Sequence, residues 1–224
     1  MPVFTRASRL RTRGGKRDDE SRTKATAALV AALTLTVVGR ASADDQLSAA
    51  AHEREATVVL HVANYAGLSR DVLDDAGARV ASVYAAIGVR TVWMDAGETT
   101  DLHDGRLHLT ILLLSRDMAE KQISAEGIGD GVVGRAHLPS RRAHIFYDRI
   151  TTLPGARPSL SIPIGDVIAH EVGHLLLRTT SHSRSGIMRA NVDARAIHLQ
   201  SFDTTQAGTI RTALMDMTAS RTAR

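Results

Sequence analysis

The chain contains His170-Glu171-Val172-Gly173-His174, and the apolar run Leu175-Leu176-Leu177 follows it directly. Residues four apart share one face of a helix, so the two imidazoles can point at one metal ion. Glu171 follows the first histidine and can reach a water molecule beside that ion without ligating the metal. Burying such polar groups in an apolar run is costly unless a partner compensates them, and a metal ion is such a partner. The pattern predicts a metal-binding helix; the alternative is an amphipathic helix whose partly exposed histidines bind nothing.

The third ligand has several candidates. A catalytic zinc ion takes three protein ligands and keeps one position for water. No glutamate follows Glu171, which leaves histidines and aspartates further along the chain: His182, His198, Asp193, Asp203 and Asp216. Residues 178–181 are polar and lack strong helix formers, so a helix that ends near Arg178 would let the chain return His182 to the ion. His182 is the predicted third ligand, and His198 is the alternative.

A second landmark is Ser185-Gly186-Ile187-Met188. HExxH with a later histidine and a methionine turn resembles the metzincin branch of the zincin metallopeptidases. The resemblance covers residues 170–188 and departs from the family pattern twice, since Leu177 stands at the family glycine and Thr180 at the family's third histidine. The resemblance implies that Met188 packs beneath the metal without ligating it, whereas the alternative is an ordinary core methionine.

The resemblance also implies an activity, which is peptide-bond hydrolysis with one catalytic Zn2+. Its ligands would be three neutral imidazoles: His170, His174 and His182. Glu171 would act as general base, taking the proton of the metal-activated water and passing it to the leaving amine. Tyr147 and Arg135 are both candidates for a second group that stabilises the oxyanion. The alternatives are an exported zinc-binding or structural module without turnover, and a metal-dependent hydrolase of a non-peptide substrate.

In zincins an edge strand above the metal pairs with an extended peptide substrate, and the resemblance places this strand in Gly131–Leu138. Backbone hydrogen bonds would supply affinity and side-chain pockets selectivity. The substrate-binding residues would be Gly134, Arg135 and Ala136. The alternative is a plain connecting loop. His137 and His144 are interpreted as histidines that lie on the surface or whose ring nitrogens are hydrogen-bonded elsewhere. A role in the cleft is the alternative.

The N-terminal residues 1–43 resemble a secretory signal peptide. A basic region is followed by an apolar run from Ala25 to Val38 and then by small residues that end at Ala43, the predicted cleavage point. The apolar run is too short for a comfortable membrane span. We therefore expect a secreted or periplasmic protein with no stable membrane span after cleavage; an uncleaved N-terminal anchor is the alternative.

The basic composition comes mainly from this leader. Residues 1–43 hold nine of the 28 Lys and Arg residues and three of the 24 Asp and Glu residues, so the rest of the chain has a net charge near −2. Nucleic acid is therefore not an expected partner. There is no cysteine, which excludes both a disulfide framework and a thiolate metal site. A peptide or protein substrate is the expected partner, and the sequence does not indicate an oligomeric state.

The remaining pattern predicts a single domain over residues 57–224, after a loose segment at 44–56. Strands are predicted from apolar and β-prone runs: 57–62, 89–94, 107–114, 132–137 and 142–147. A helix capped by Ser69 and ended by Gly88 joins the first two strands, which makes a βαβ unit with a parallel pair. Ser161 or Asp166 would cap the metal helix near Pro163, and Thr204 or Thr205 a C-terminal helix. The fold class is therefore α+β, a zincin-like twisted mixed sheet with an active-site helix and a C-terminal helix.

Two loops have other interpretations. Residues 95–106 form an acidic connection, and calcium binding is the alternative reading of its carboxylates: Asp95, Glu98, Asp101 and Asp104. The glycines between Gly127 and Gly134 do not lead from a strand into a helix at phosphate-loop spacing, so a nucleotide site is rejected.

Overall fold

The computed structural model describes residues 56–98, 101, 104–154, 156, 159–190 and 201–222. The predicted signal peptide, nearly all of the segment 44–56, and the alternative ligands Asp193 and His198 lie outside the described residues.

The described domain is built on one five-stranded sheet. Its strands are β1 (Thr57–Asn64), β2 (Arg90–Asp95), β3 (Leu107–Leu113), β4 (Gly134–His137) and β5 (Arg142–Ile145). Their spatial order is β2-β1-β3-β5-β4, and every neighbouring pair is parallel except β4 with β5. The predicted α+β class with a mixed sheet is confirmed, as is the parallel βαβ unit of β1 and β2.

Five helices accompany the sheet in the described part of the chain: α1 (Arg70–Ala85), α2 (Arg116–Glu126), α3 (Tyr147–Ile150), α4 (Ser161–Leu177) and α5 (Thr204–Thr222). The sequence did not indicate α2 or α3. The strand predicted to run to Tyr147 was too long, because β5 ends at Ile145 and Tyr147 already begins α3. No helix within the described ranges combines the length and apolar character that crossing a bilayer requires.

Ser69 occupies the predicted N-cap position of α1, whereas the predicted caps of α4 were wrong. Ser69 precedes α1, but its side chain makes no capping hydrogen bond, and α1 ends at Ala85 before the turn that contains Gly88. Helix α4 follows Leu160, whose side chain cannot cap. Asp166 is instead committed to an ion pair with Arg79, at 2.7 Å between Oδ1 and Nε.

The C-terminal helix starts with a cap that sequence reasoning missed. The Asp203 carboxylate accepts from the Gln206 backbone N–H at 2.8 Å, and the Gln206 side chain accepts from the Asp203 N–H at 3.1 Å. This reciprocal pair is a capping box, and neither Thr204 nor Thr205 is needed for it. Asp203 is not part of the group of side chains in the described ranges that could share a metal ion.

Helices α1 and α4 pack together on one face of the sheet. Leu60 of β1, Val80 of α1 and Ile168 of α4 are fully buried in the same core. A smaller cluster lies on the opposite face, where Ala119 of α2 packs with Phe146. The sheet therefore has helices on both faces, and α4 lies beside the antiparallel edge made by β4.

The crossing of α1 and α4 depends on a glycine. A Cβ atom at Gly165 would lie 2.8 Å from the Ala76 carbonyl oxygen and 2.8 Å from Arg79 Cβ. Because the first of these is a backbone atom, a side chain at this position can be accommodated only by moving one helix away from the other.

We predict that Gly165→Ala lowers the free energy of unfolding by about 1–3 kcal/mol through overpacking. Gly208→Ala is the matched control, since a Cβ at Gly208 of α5 would have no neighbour within 4 Å. That change should stabilise the protein by up to about 1 kcal/mol through helix propensity. Urea unfolding of both variants measures the difference, and equal effects would contradict the close crossing.

Candidate metal centre

Helix α4 carries its polar residues into the core. Every residue from Pro163 to Leu176 is buried. His170 is 6% exposed, Glu171 5% and His174 6%. A helix that is buried all round has no solvent to compensate these groups, so each polar atom needs a partner within the protein or a bound ion.

The three predicted histidines converge. His174 Nε2 lies 3.0 Å from His170 Nε2 and 3.3 Å from His182 Nε2. One ligand atom from each of the three lies within 4.8 Å of the other two, and they form the one such group in the described ranges. Nitrogen ligands at about 2.0–2.1 Å from one tetrahedral zinc ion lie roughly 3.3 Å apart. The spacing therefore fits a shared ion.

The backbone fixes the orientation of two rings. His170 Nδ1 lies 2.7 Å from the Ile187 carbonyl oxygen, and His174 Nδ1 lies 2.8 Å from the Thr179 carbonyl oxygen. A carbonyl oxygen only accepts, so each Nδ1 carries the proton and donates it. Each Nε2 is consequently unprotonated, and its lone pair faces the point that the rings share. Hydrogen bonds to the other ring nitrogen orient histidine ligands in the same way in known metal sites.

A sharp reversal at Arg178 brings His182 back to α4. Arg178 has a left-handed backbone with φ of 52°, a conformation that glycine adopts more readily. The Thr179 N–H then donates to the His174 carbonyl at 3.3 Å and closes the helix end. The predicted end of the helix near Arg178 is confirmed. The left-handed residue is Arg178, one position after Leu177, which stands at the family glycine.

Met188 lies beneath the turn of α4 that joins the two histidines. A Cβ at Gly173 would lie 2.5 Å from Met188 Sδ and 3.0 Å from Phe202 Cε1. Met188 is 1% exposed, and its carbonyl accepts from the Ser183 N–H at 2.8 Å. Gly173 thus provides the space in which the sulfur packs against the helix backbone.

Burial sets the protonation of the buried groups. Burial lowers the pKa of His170 to about 4, and it also lowers the pKa of His174. Both rings are therefore neutral at pH 7, the form that ligates a metal. Burial raises the pKa of Glu171 to about 8. A hydrogen bond from the Ala136 N–H and the positive charge of Arg135 lower this pKa, but by less than burial raises it.

The histidines and Glu171 face a cleft of about 440 Å³. Glycine and apolar residues of the loop before β4 form its rim, and Gly134, Arg135 and Ala136 form its β4 side. Thr180 also lines the cleft, which sequence reasoning missed as a site residue. The close approach of Ala136 N–H to Glu171 was not predictable either, because it depends on how β4 lies beside α4.

Other candidates lie elsewhere. Tyr147 is not among the residues that line the cleft in the described part of the chain. His137 Nδ1 lies 2.7 Å from Ser140 Oγ, and His144 lies on β5 opposite Arg135. Neither histidine belongs to the described cleft lining.

The acidic loop uses two carboxylates in ion pairs. Asp95 pairs with Arg70 at 2.9 Å, and Asp104 pairs with both Arg106 and His108. No group of three metal-binding side chains forms there among the residues the structure describes, so nothing supports the calcium alternative.

Comparison with solved structures finds similar chains, among them an archaemetzincin and a zinc-dependent peptidase. Archaemetzincin from Methanopyrus kandleri is 14% identical, with a TM-score of 0.45, over 72% of this chain and 96% of that one. A zinc-dependent peptidase from Methanocorpusculum labreanum is 14% identical, with a TM-score of 0.40, over 68% of this chain and 99% of that one. No family model and no curated protein matches the chain.

We predict that His182→Ala weakens zinc binding by more than about 100-fold, since even loss of an outer hydrogen-bond partner of a ligand costs about 10- to 100-fold. His198→Ala is the control and should leave the zinc affinity unchanged. Competition with a fluorescent chelator measures both affinities. If His198→Ala weakens binding and His182→Ala does not, His198 is the third ligand.

We also predict how pH affects the stability of the metal-free protein. The pKa of Glu171 is raised from 4.5 to about 8, so the folded state binds a proton there that the unfolded state releases above pH 4.5. This contribution to stability is complete below pH 4.5 and is lost as pH rises to about 8.

Glu171→Gln removes this titration and leaves the histidines in place. The Tm of the variant minus that of wild type, measured in chelator, should therefore grow from pH 5 to pH 8. A difference that stays flat across this range would contradict a buried, protonated Glu171.

Proposed function

We propose that the chain is an exported zinc-dependent metallopeptidase in which Glu171 is the general base. The convergence of three imidazole nitrogens beside a buried glutamate, at the wall of an open cleft, is the observation that supports it most strongly. Export is part of the proposal because residues 1–43 have the pattern of a signal peptide.

The three histidines fit zinc by donor type and orientation. His170, His174 and His182 would hold the ion. When bound, zinc supplies a Lewis acid and lowers the pKa of a ligating water molecule from 15.7 to about 7. Structural zinc sites usually have four protein ligands. The cluster has three in the described ranges, and this favours a catalytic site over a structural one.

Glu171 is placed to move protons. A cation beside a carboxyl favours the ionised form, so ion binding would bring the pKa of Glu171 down from its metal-free value of about 8. The carboxylate then accepts a proton from water and delivers it to the leaving amine. The Ala136 N–H holds the carboxylate at the β4 side of the cleft, where a substrate backbone would lie.

Among the described strands, none pairs with the outer edge of β4, which is therefore the edge proposed for a peptide. Strand β4 is the last strand in the sheet order and lines the cleft beside Glu171. A peptide that adds to this edge gains backbone hydrogen bonds and lies across the metal centre. Gly134 is suited to this position, because a Cβ there would lie 2.7 Å from Glu171 Oε1.

Arg135 is better suited to contact substrate side chains than the reacting carbonyl. Successive strand residues point to opposite faces of a sheet. Gly134 faces Glu171, so Arg135 points to the other face, where its guanidinium pairs with Glu126 at 2.9 Å.

We predict that Glu171→Gln keeps one zinc ion per chain while kcat/KM for a fluorogenic peptide falls by about 100- to 10,000-fold, the usual contribution of a general base. Glu120→Gln, an exposed change on α2, is the control and should retain both zinc and activity.

Wild-type hydrolysis should stop on addition of a chelator and return with zinc. Activity of Glu171→Gln within tenfold of wild type would remove Glu171 from the proposed role. Absence of any chelator-sensitive hydrolysis of casein or peptides by the wild type would favour a zinc-binding module or a non-peptide substrate.

A further inference from the structure

The β4–β5 hairpin carries four basic side chains on the sheet face turned away from α4. The register pairs Arg135 with His144 and His137 with Arg142. Directly opposite residues share one face of the sheet, so the two pairs form a ladder of basic side chains along the edge of the cleft.

The burial pattern assigns these residues to their face. On β5, Ala143 and Ile145 are fully buried, whereas Arg142 is exposed and His144 is half-buried. On β4, Gly134 faces Glu171 of the α4 layer. Alternation then places the basic side chains of both strands on the outer face.

The ladder is only partly neutralised. Within the described ranges, Glu126 is the carboxylate that forms an ion pair with a member of the ladder, through Arg135 at 2.9 Å. Asp130, on the rim, lies instead 3.9 Å from Arg149. Arg141, in the turn that joins the strands, adds a further exposed positive charge. Burial also lowers the pKa of His144, so the excess of positive charge on the hairpin lies on Arg142 and Arg141.

The outer edge of β4 brings a bound peptide beside this ladder. The Val133 carbonyl accepts from the Phe146 N–H at 2.9 Å, toward β5. Backbone groups alternate along a strand, so Arg135 and His137 also turn theirs toward β5, and Gly134 and Ala136 turn theirs outward. The Ala136 N–H is engaged there by Glu171, so the groups offered to a peptide are those of Gly134 and the Ala136 carbonyl. If a peptide adds as an antiparallel strand, the substrate residues opposite Arg135 and His137 form non-hydrogen-bonded pairs with them. Side chains approach each other most closely in pairs of this kind.

We infer that the cleft selects peptides with acidic side chains at alternate positions. The inference rests on the proposed function, because it places the substrate on the same edge strand. Opposite charges across an antiparallel pair stabilise pairing, and like charges oppose it. The charges of Arg142 and Arg141 also attract acidic side chains of the peptide. At physiological ionic strength this attraction reaches over the screening length of about 8–10 Å.

The test uses two labelled ten-residue peptides that alternate alanine with glutamate or with glutamine. Their binding to zinc-loaded Glu171→Gln protein, which holds the substrate without turnover, is measured by fluorescence anisotropy. The glutamate peptide should bind about threefold more tightly than the glutamine peptide, because Arg135 supplies one directly opposed charge and Arg142 and Arg141 add a screened attraction. The ratio should fall toward one as salt is raised from 50 mM to about 500 mM.

Variants in the same background locate the preference. Arg135→Gln and Arg142→Gln should each reduce the ratio, and Arg142→Lys should preserve it because the charge is kept. Arg90→Gln is the matched control, an exposed strand arginine on β2 at the opposite edge of the sheet, and should leave the ratio unchanged.

Equal binding of the two peptides, binding of neither, or a ratio that persists in both glutamine variants would overturn the inference. Chelator-sensitive hydrolysis of casein by the wild type is measured in parallel. It reports on the proposed function alone, so the two failures are distinguishable.

Discussion

The cost of removing two imidazoles and a carboxylate from water governs this structure. His170, Glu171 and His174 are each at most 6% exposed inside a largely apolar helix. Their pKa values shift in the directions that burial dictates, downward for the histidines and upward for the glutamate. Such groups persist in a core only when partners compensate them.

The surrounding elements supply those partners. The segment after α4 contributes the Ile187 and Thr179 carbonyls, which fix both rings. Strand β4 contributes the Ala136 N–H to Glu171. What is left uncompensated is a set of imidazole lone pairs that face a common point, and one cation satisfies them together. The fold thus positions the proposed chemistry with backbone groups, which do not depend on side-chain choice.

One edge strand would connect the proposed metal centre with a bound peptide. One face of β4 packs on α4 through Gly134, its outer edge is open to the cleft, and its other face carries Arg135 and His137. The same four residues can therefore hold the general base, pair with a peptide backbone and contact its side chains. A short strand suffices for this because alternation separates the three roles in space.

Periodicity in the sequence predicted the elements with strong apolar patterns and missed those without one. The strands and the helices α1 and α4 were found because their buried residues recur with the correct period. Helix α2 was missed because Ala119 is its one buried residue, so it has no apolar stripe. The caps failed because Asp166 pairs with Arg79 and Asp203 bonds Gln206, and such competition depends on tertiary contacts. His170 and His174 follow from helical spacing, whereas the return of His182 depends on a left-handed Arg178 that no turn residue announces.

X-ray absorption at the zinc edge of the purified protein tests the central claim most directly. The account predicts one zinc ion per chain, with three imidazole nitrogens at about 2.0–2.1 Å and a remaining light-atom ligand from water. Purified protein without stoichiometric zinc, or a spectrum with fewer than three imidazoles, would contradict it.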